Sequence, residues 1–322
     1  MILKQYQIKT NDAGQRLDRF LTKQGITNGT IRKALRNKDI KVNNTRKNAD
    51  YTLAVGDVLR VYLQSETPDT PPAQTFNYTD DISDKLNILY EDDNIMLLDK
   101  PVGLLSHGDT PDEHSLITQV KAYLYRKGEF VPENEQSFEP SLCNRIDRNT
   151  GGIVIAAKNA ETLRTVNEML RLRQIRKFYL CILSATPKLT ETTLTAYLYK
   201  DEKANQVYIS DCKTAANKTI VTKYRVLRVL DAPFDGLPLC EVELITGRTH
   251  QIRAHMAYIG CPLLGDGKYG RNAVNKRYGG EFARGRQALY SYKVEFVGGV
   301  GTCLDYLNGR AFEVKLDDVW FV

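Results

Sequence analysis

Three polar segments, each beside a predicted apolar strand, contain the side chains that are candidates for chemistry. In residues 144–152 a single carboxylate, Asp147, is flanked by two arginines in a glycine-rich turn, where backbone can approach a ligand closely. Tyr179 ends the segment Arg-Lys-Phe-Tyr, and residues 247–255 read Gly-Arg-Thr-His-Gln-Ile-Arg-Ala-His. A lone Asp beside Arg is more often a surface ion pair worth about 0–1 kcal/mol than a catalyst. The joint occurrence of the three segments in this order nevertheless favours a catalytic site.

The elements before residue 64 predict a small folded module. Apolar spacing predicts helices over 15–24 and 30–37, the second capped by Thr30. Alternating apolar residues predict strands over 40–42 and 57–63.

The rest of the chain predicts a linker and a larger body. Residues 64–85 contain three prolines and hardly an aliphatic side chain, which is typical of a linker. Beyond it, short Val- and Ile-rich runs alternate with fewer helical segments, the clearest over 160–174. We therefore predict an α+β fold, with a small α/β domain over 1–63, a linker over 64–85 and a body with a large sheet over 86–322.

The charge distribution indicates a polyanionic partner. The 322-residue chain has a net charge of +6, yet residues 1–63 alone hold 13 Lys and Arg against 5 Asp, a net +8. A small basic module on a near-neutral body favours nucleic acid as the partner, although a solvated lysine-rich face would have the same composition.

Several classes of protein are excluded by composition and spacing. With 42% hydrophobic and 26% charged residues, the chain is neither disordered nor collagen-like. No apolar run approaches the roughly 18 residues of a membrane helix, and the N-terminus lacks a secretion-signal pattern, so we expect a cytoplasmic protein. The six cysteines form no CxxC pair, and His250 and His255 are not four apart, so we expect reduced cysteines and no metal site. Without a coiled-coil pattern, we expect a monomer.

The three polar segments resemble motifs of the RluA-type family of RNA pseudouridine synthases. Residues 144–152 are similar to the family signature HRLDxxTSG, and residues 177–179 to its Lys-x-Tyr motif. Residues 247–270 match GRTHQIRxHxxxxGxPxxGDxxYG almost throughout, and 286–292 are similar to a further family segment. Residues 13–63 resemble the small RNA-binding domain named after ribosomal protein S-four. The resemblance covers nearly the whole chain.

Three positions of the first motif depart from the family pattern. Asn144 stands where the signature has His, Ile146 where it has Leu, and Gly151 where it has Ser. These changes bear on substrate choice and local geometry, because Asp147 and the adjacent Arg145 are retained.

The resemblance implies an isomerase that converts uridine to pseudouridine in structured RNA, with ribosomal RNA the first expectation and transfer RNA the second. The uracil is detached from ribose, turned and rejoined through carbon 5 without gain or loss of atoms, so no cofactor and no metal are expected. Asp147 is then the catalytic carboxylate, as is common in glycosyl chemistry. Arg253 would hold it ionised, and Tyr179 would stack on uracil or move a proton.

The same resemblance implies residues that bind RNA. A uridine in folded RNA must be extruded at a cost of a few kcal/mol, and Arg145 is the candidate to fill the gap or hold the backbone. Arg248 and His250 contact RNA or support the pocket. In the N-terminal module the expected phosphate-binding side chains are Arg16, Arg19, Arg32, Lys33 and Arg36.

Two rival functions follow from the same residues. A non-catalytic RNA-binding or ribosome-assembly protein would bind RNA and leave its uridines unchanged. A hydrolytic nucleosidase or glycosidase would need a second, water-activating carboxylate near Asp147. Asp266, in the motif match over 247–270, is the one other motif carboxylate, and its position is typical of a turn or support residue.

Overall fold

The computed structural model describes residues 2–63, 83, 85–108, 113–204, 206–234 and 236–322. These residues form two compact units. The first contains the described residues within Met1–Lys85, Gly108–Ser141 and Ala157–Arg164, and the second those within Leu86–His107, Leu142–Ala156 and Thr165–Val322. The predicted linker lies outside the described residues except for 83 and 85, and the sequence-based domain boundaries stay a prediction.

A three-stranded antiparallel sheet and two helices form the N-terminal part of the first unit. The sheet has the order β1-β3-β2. Its elements are β1 (Ile2–Gln7), α1 (Leu17–Lys23), α2 (Asn28–Asn37), β2 (Ile40–Val42) and β3 (Val58–Leu63). Leu17, Phe20 and Ile31 are buried in one apolar core with the inner face of β3, because their spacing keeps one side of each helix apolar.

The cap of α2 differs from the prediction. Thr27, rather than Thr30, is the N-cap, and its hydroxyl accepts a hydrogen bond of 3.3 Å from the Thr30 amide. The helix therefore begins at Asn28, two residues earlier than predicted, because Asn28 and Gly29 join it despite their weak helix propensity.

The second unit is built on an eleven-stranded sheet of order β10-β9-β11-β12-β8-β13-β7-β5-β4, with β14 paired to β13 and β6 to β7. Strands β7 and β13 pair in parallel. The pairs β10–β9, β9–β11, β11–β12, β12–β8 and β8–β13 are antiparallel. This confirms the predicted α+β class with a large, mainly antiparallel sheet. The strands are β4 (Ile88–Glu91), β5 (Ile95–Lys100), β6 (Ser141–Leu142), β7 (Gly151–Ala157), β8 (Ile175–Ile182), β9 (Glu191–Asp201), β10 (Gln206–Ser210), β11 (Lys218–Val229), β12 (Pro238–Leu244), β13 (Leu289–Phe296) and β14 (Ala311–Glu313).

The remaining helices are α3 (Leu116–Arg126), α4 (Ala160–Arg171), α5 (Gln251–Tyr258), α6 (Asn272–Tyr278) and α7 (Gly280–Ala283). The helix predicted over 160–174 thus ends at Arg171. Two residues later Arg173 adopts a left-handed conformation with φ 60°, which breaks the helical path before Gln174.

Alternation along β8 places Tyr179 on the face of the large sheet that is opposite to Phe178 and Leu180. Phe178 and Leu180 point into the main core, whereas Tyr179 between them faces the other side. Tyr179 lies opposite Val242 of β12 and Ser291 of β13 in the strand register.

Helix α5 is fixed to this sheet by an apolar contact and buried polar bonds. Ala254 packs in a small core with Ile220 of β11. The side-chain amide of Gln251 donates through Nε2 to the carbonyl of Val221 and to the hydroxyl of Thr222, both at 3.0 Å. Because these partners are buried, rotation of α5 would leave polar groups unsatisfied.

Within the described ranges no helix combines the length and hydropathy needed to cross a bilayer. None of the six cysteines, all of which are described, forms a disulfide; Cys181, Cys240 and Cys261 are buried and Cys212 is exposed.

Candidate active site

The loop that carries Asp147 joins β6 to β7 and is tied down from within the second unit. The Ser106 hydroxyl donates to the Ile146 carbonyl at 2.9 Å and accepts from the Ile146 amide at 3.3 Å. The Asp147 carbonyl accepts from the Thr150 amide at 3.0 Å, which closes a turn. These bonds hold the backbone on both sides of the carboxylate.

Lys100, at the end of β5, supports the same loop from below. Its ammonium is fully buried and donates to the carbonyls of Pro101, Leu104 and Arg148 at 2.9, 2.7 and 3.2 Å. Burial lowers the pKa of Lys100 to about 8, against an opposing attraction to Asp147 and Asp99. Lys100 was not predicted from the sequence, although a lysine that ends an apolar run is a detectable signal.

Arg253, on α5, joins two carboxylates of different exposure. Its Nη1 donates to Asp147 Oδ2 at 2.7 Å, while Nε and Nη2 form a two-pronged bond to Asp266 at 2.7 and 3.0 Å. The Asp266 side chain is fully buried, that of Arg253 is 10% exposed and that of Asp147 is 27% exposed. A guanidinium held at both edges presents a fixed charge to the one carboxylate that reaches the surface.

Asp266 acts as an anchor for Arg253. Its Oδ1 also accepts from the amides of Lys268 and Tyr269 at 2.8 and 2.9 Å. Burial alone would raise the pKa of Asp266, but the hydrogen bonds and charge of Arg253, with the two amides, hold it below its ordinary value. Asp266 is therefore an ionised support residue.

His250 approaches Asp147 from the start of α5. It is the N-cap residue and adopts a left-handed backbone with φ 51°. Its Nε2 lies 3.9 Å from Asp147 Oδ2, and its Nδ1 lies 3.0 Å from the Tyr269 hydroxyl. Burial lowers the pKa of His250, and Arg253 lowers it further, against the attraction of Asp147.

Tyr179 is 4% exposed. Burial raises the pKa of its phenol to about 12, which the charge of Asp147 reinforces and a hydrogen bond with Ser291 opposes. The phenol is therefore protonated at neutral pH and is available as a ring surface and as a hydrogen-bond donor, but is a poor base.

A small cavity of about 60 Å³ opens between these residues. Its lining includes six of the residues predicted from the sequence, namely Arg145, Asp147, Tyr179, Arg248, His250 and Arg253. The structure thus brings together both the proposed catalytic residues and three proposed RNA-binding residues, with Arg145 and Arg248 exposed.

The other predicted RNA-binding residues belong to the first unit. Arg16, Arg19, Arg32, Lys33 and Arg36 are all exposed. Arg16 forms an ion pair of 2.7 Å with Asp18, so part of its charge is already neutralised.

Two of the departures from the family motif have structural causes. A Cβ at Gly151 would come within 2.5 Å of the Tyr290 ring, so a serine has no space here. Asn144 accepts a 2.8 Å bond from the Ile155 amide through its side-chain oxygen and so ties the loop to β7. Both changes leave the Asp147–Arg253 pair in place.

Among the described residues, no group of three or more His, Cys, Asp or Glu side chains is arranged to hold a metal ion.

Comparison with known proteins adds independent information. The sequence model of a family described as RNA pseudouridylate synthase matches residues 94–258. Ribosomal large subunit pseudouridine synthase C from Vibrio vulnificus is 31% identical over 289 residues, covering 88% of this chain and 85% of that protein. The protein of the same name from Haemophilus ducreyi is 30% identical over 295 residues, covering 90% and 87%.

Among solved structures, human RNA pseudouridylate synthase domain containing 4 matches with a TM-score of 0.53 and 22% identity, over 71% of this chain and 88% of that chain. Human RNA pseudouridylate synthase domain containing 1 matches with a TM-score of 0.54 and 19% identity, over 73% and 92%. At these identities the two structures support the fold.

Proposed function

The chain belongs to the RNA pseudouridylate synthase family, and from that premise we propose that it isomerises uridine in ribosomal RNA with Asp147 as its catalytic carboxylate. The observation that carries the proposal is the bridge of Arg253 between Asp147, at the cavity, and Asp266, buried behind it. The relatives named for the ribosomal large subunit make ribosomal RNA the first substrate to test and transfer RNA the second.

The chemistry assigns one task to Asp147. The bond from ribose to uracil N1 breaks, the base turns, and a bond forms through carbon 5. This chemistry needs a carboxylate next to the electron-poor anomeric carbon of the sugar or next to the uracil ring. Asp147 is the one carboxylate among the described residues that line the cavity. Arg253 orients it, because the guanidinium is itself fixed by Asp266.

Tyr179 supports the base rather than abstracts a proton. Its ring lines the cavity, and its phenol, with a pKa of about 12, is protonated at neutral pH. We therefore favour a stacking role on uracil, with the hydroxyl as a donor.

RNA binding would combine two sets of cations. Arg145, exposed beside Asp147, is placed to stack on a base or bond a phosphate where the uridine leaves the helix. Arg248 and His250 also line the cavity, and the five exposed cations of the first unit add phosphate contacts.

The rival functions lose support from the same geometry. A hydrolase would need a second carboxylate to activate water, but Asp266 is buried and bonded to Arg253. A protein that only binds RNA would have no use for the Asp147–Arg253–Asp266 arrangement. The cytoplasmic location and the monomeric state stay predictions from the sequence.

The decisive experiment is carbodiimide mapping of pseudouridine across ribosomal and transfer RNA from source cells with and without the gene. Sites that disappear with the gene should return with the wild type and not with Asp147→Asn, while RNA affinity stays nearly unchanged. Asp93→Asn, which removes an exposed carboxylate in the turn after β4, is the matched control and should restore the sites.

Three outcomes would contradict the proposal. Normal conversion by Asp147→Asn would remove Asp147 from the chemistry. Release of free uracil in vitro would indicate a hydrolase. A gel shift with purified protein but no lost site in cells and no conversion of either RNA would favour an assembly factor.

A further inference from the structure

The Tyr269 hydroxyl, in the loop after α5, has two neighbours in hydrogen-bond range. The backbone amide of Val207, in β10, donates to it at 3.0 Å, and His250 Nδ1 lies 3.0 Å away on another side. An amide can only donate, so the phenolic oxygen is the acceptor in the first bond. Its single proton is then free to be donated in the second.

The two nitrogens of His250 therefore have different partners. If Nδ1 accepts from Tyr269, the ring proton of a neutral imidazole resides on Nε2. Nε2 lies 3.9 Å from Asp147 Oδ2, and a carboxylate favours an N–H over a lone pair at that position. The contacts at both ends of the ring thus select the same tautomer.

We propose that Tyr269 is a positioning residue that fixes His250 as the neutral Nε2–H tautomer, with this N–H directed at Asp147 and the cavity. The inference rests on the proposed function for its catalytic consequence. The tautomer itself follows from the contacts of Val207, Tyr269 and Asp147.

The neutral ring has a specific value beside Asp147. An imidazolium would compete with Arg253 for the carboxylate, whereas a neutral N–H donates to Asp147 or to a bound uridine without adding a second positive charge. The other charged groups that face His250 are Arg253, Lys268 and Asp266. Burial and the two cations disfavour protonation, in agreement with the neutral form.

Nitrogen-15 NMR of histidine-labelled protein tests the tautomer directly. The chain has four histidines, and His250→Gln assigns the signal. In the wild type at pH 7.5 we expect a neutral ring with the proton on Nε2. Tyr269→Phe keeps the ring that lies 5.3 Å from the Arg253 guanidinium but removes the hydroxyl, so the signal should move towards a tautomer mixture. A wild-type proton on Nδ1, or an unchanged signal in Tyr269→Phe, would overturn the proposal.

Kinetics on an RNA substrate test the consequence. Tyr269→Phe should lower kcat about tenfold, the equivalent of one hydrogen bond of about 1.4 kcal/mol, with little change in KM. The amide of Gln replaces the Nε2–H donor and needs no partner at Nδ1, so Tyr269→Phe should have no further effect in a His250→Gln background. Tyr208→Phe, at an exposed position in β10, is the control and should leave kcat unchanged.

The NMR and the kinetic experiments distinguish failure of this proposal from failure of the proposed function. Additive losses in the double variant would refute the coupling between Tyr269 and His250. A wild type that makes no pseudouridine from any RNA would refute the proposed function, while the NMR result would still decide the tautomer.

Discussion

The second unit contains two arginines with the same pattern of bonds in different surroundings. Arg253 bonds Asp266 through Nε and Nη2 and Asp147 through Nη1. Arg176 bonds Glu243 through Nε and Nη2, and Glu295 through Nη1, at 2.8, 3.0 and 2.8 Å.

Burial distinguishes the two clusters. The Arg253 and Asp266 side chains are 10% and 0% exposed, whereas those of Arg176 and Glu243 are 41% and 18% exposed. The Arg176 cluster lines an open groove of about 250 Å³, in which four Glu face four cations. Water screens that groove, so its ion pairs contribute little, while the loss of one partner at Arg253 leaves a buried charge uncompensated. The same pattern of hydrogen bonds therefore produces a buried, fixed charge at Arg253 and a solvated surface cluster at Arg176.

The largest effect should come from removing each arginine in turn. Arg253→Gln should lower the free energy of unfolding by about 3–5 kcal/mol, because Asp266 stays buried without its cation, and should abolish turnover. Arg176→Gln should cost about 0–1 kcal/mol and keep turnover within about twofold. Urea unfolding and initial rates provide the measurement. Equal losses in the two variants would show that burial does not distinguish the clusters.

A smaller effect is expected from the anchoring carboxylates. Asp266→Asn keeps the shape of the anchor but removes its charge, so we expect a loss of about 1.5–3 kcal/mol in unfolding free energy and a fall in kcat. Glu243→Gln, the matched change in the open groove, should change either quantity little. If Asp266→Asn retains wild-type kcat, Asp266 does not position Arg253 for catalysis.

The pH dependence of stability should depend on His255, which lies on α5 with Arg253. Burial lowers the pKa of His255 to about 4, while the ordinary value of an unfolded histidine is near 6.5. Between pH 6.5 and 4 the unfolded chain binds this proton and the folded chain does not, so unfolding free energy should fall by about 1–3 kcal/mol as the pH is lowered.

The test is urea unfolding at several pH values in the wild type and His255→Asn. The Asn amide can still contact Thr222, which lies 3.0 Å from His255 Nδ1, but it does not titrate. The fall between pH 6.5 and 4 should be shallower in this variant, and identical slopes would exclude His255 as its source.

The smallest effect concerns exposed cations in the first unit. Arg32→Gln, Lys33→Gln and Arg36→Gln remove charges on the open side of α2. Each lost phosphate contact should reduce the slope of log affinity against log salt by about 0.7–0.9 and weaken RNA binding at low salt, without a change in kcat at saturating RNA. An unchanged slope in the triple variant would place the electrostatic footprint elsewhere.

Part of the fold could be predicted because its signals are local. Alternating apolar residues indicated β2 and β3, and the spacing of Leu17 and Phe20 indicated α1. The Thr30 cap was wrong because threonines at 27 and 30 both fit a cap, and the choice between them depends on how the backbone enters the helix. The end of α4 at Arg171 was missed because no proline or glycine marks it.

Some residues of the site could be predicted from the sequence and others could not. Asp147, Tyr179 and Arg253 were identified through motifs, and the structure brings all three to one cavity. Lys100 was missed because its ammonium joins nearby carbonyls to that of Arg148, 48 residues away, and spacing alone does not show this contact. Asp266 was recognised as a support but could not be assigned to Arg253 from spacing alone.

The sequence by itself determined the family, the class of fold and the residue types of the site, because motifs and periodicity are written in neighbouring positions. Only the tertiary structure decided which carboxylate faces the cavity and which is buried behind Arg253. Only it decided the tautomer of His250, which depends on an amide in β10. These properties come from burial and from hydrogen bonds between distant segments, and both exist only after the chain has folded.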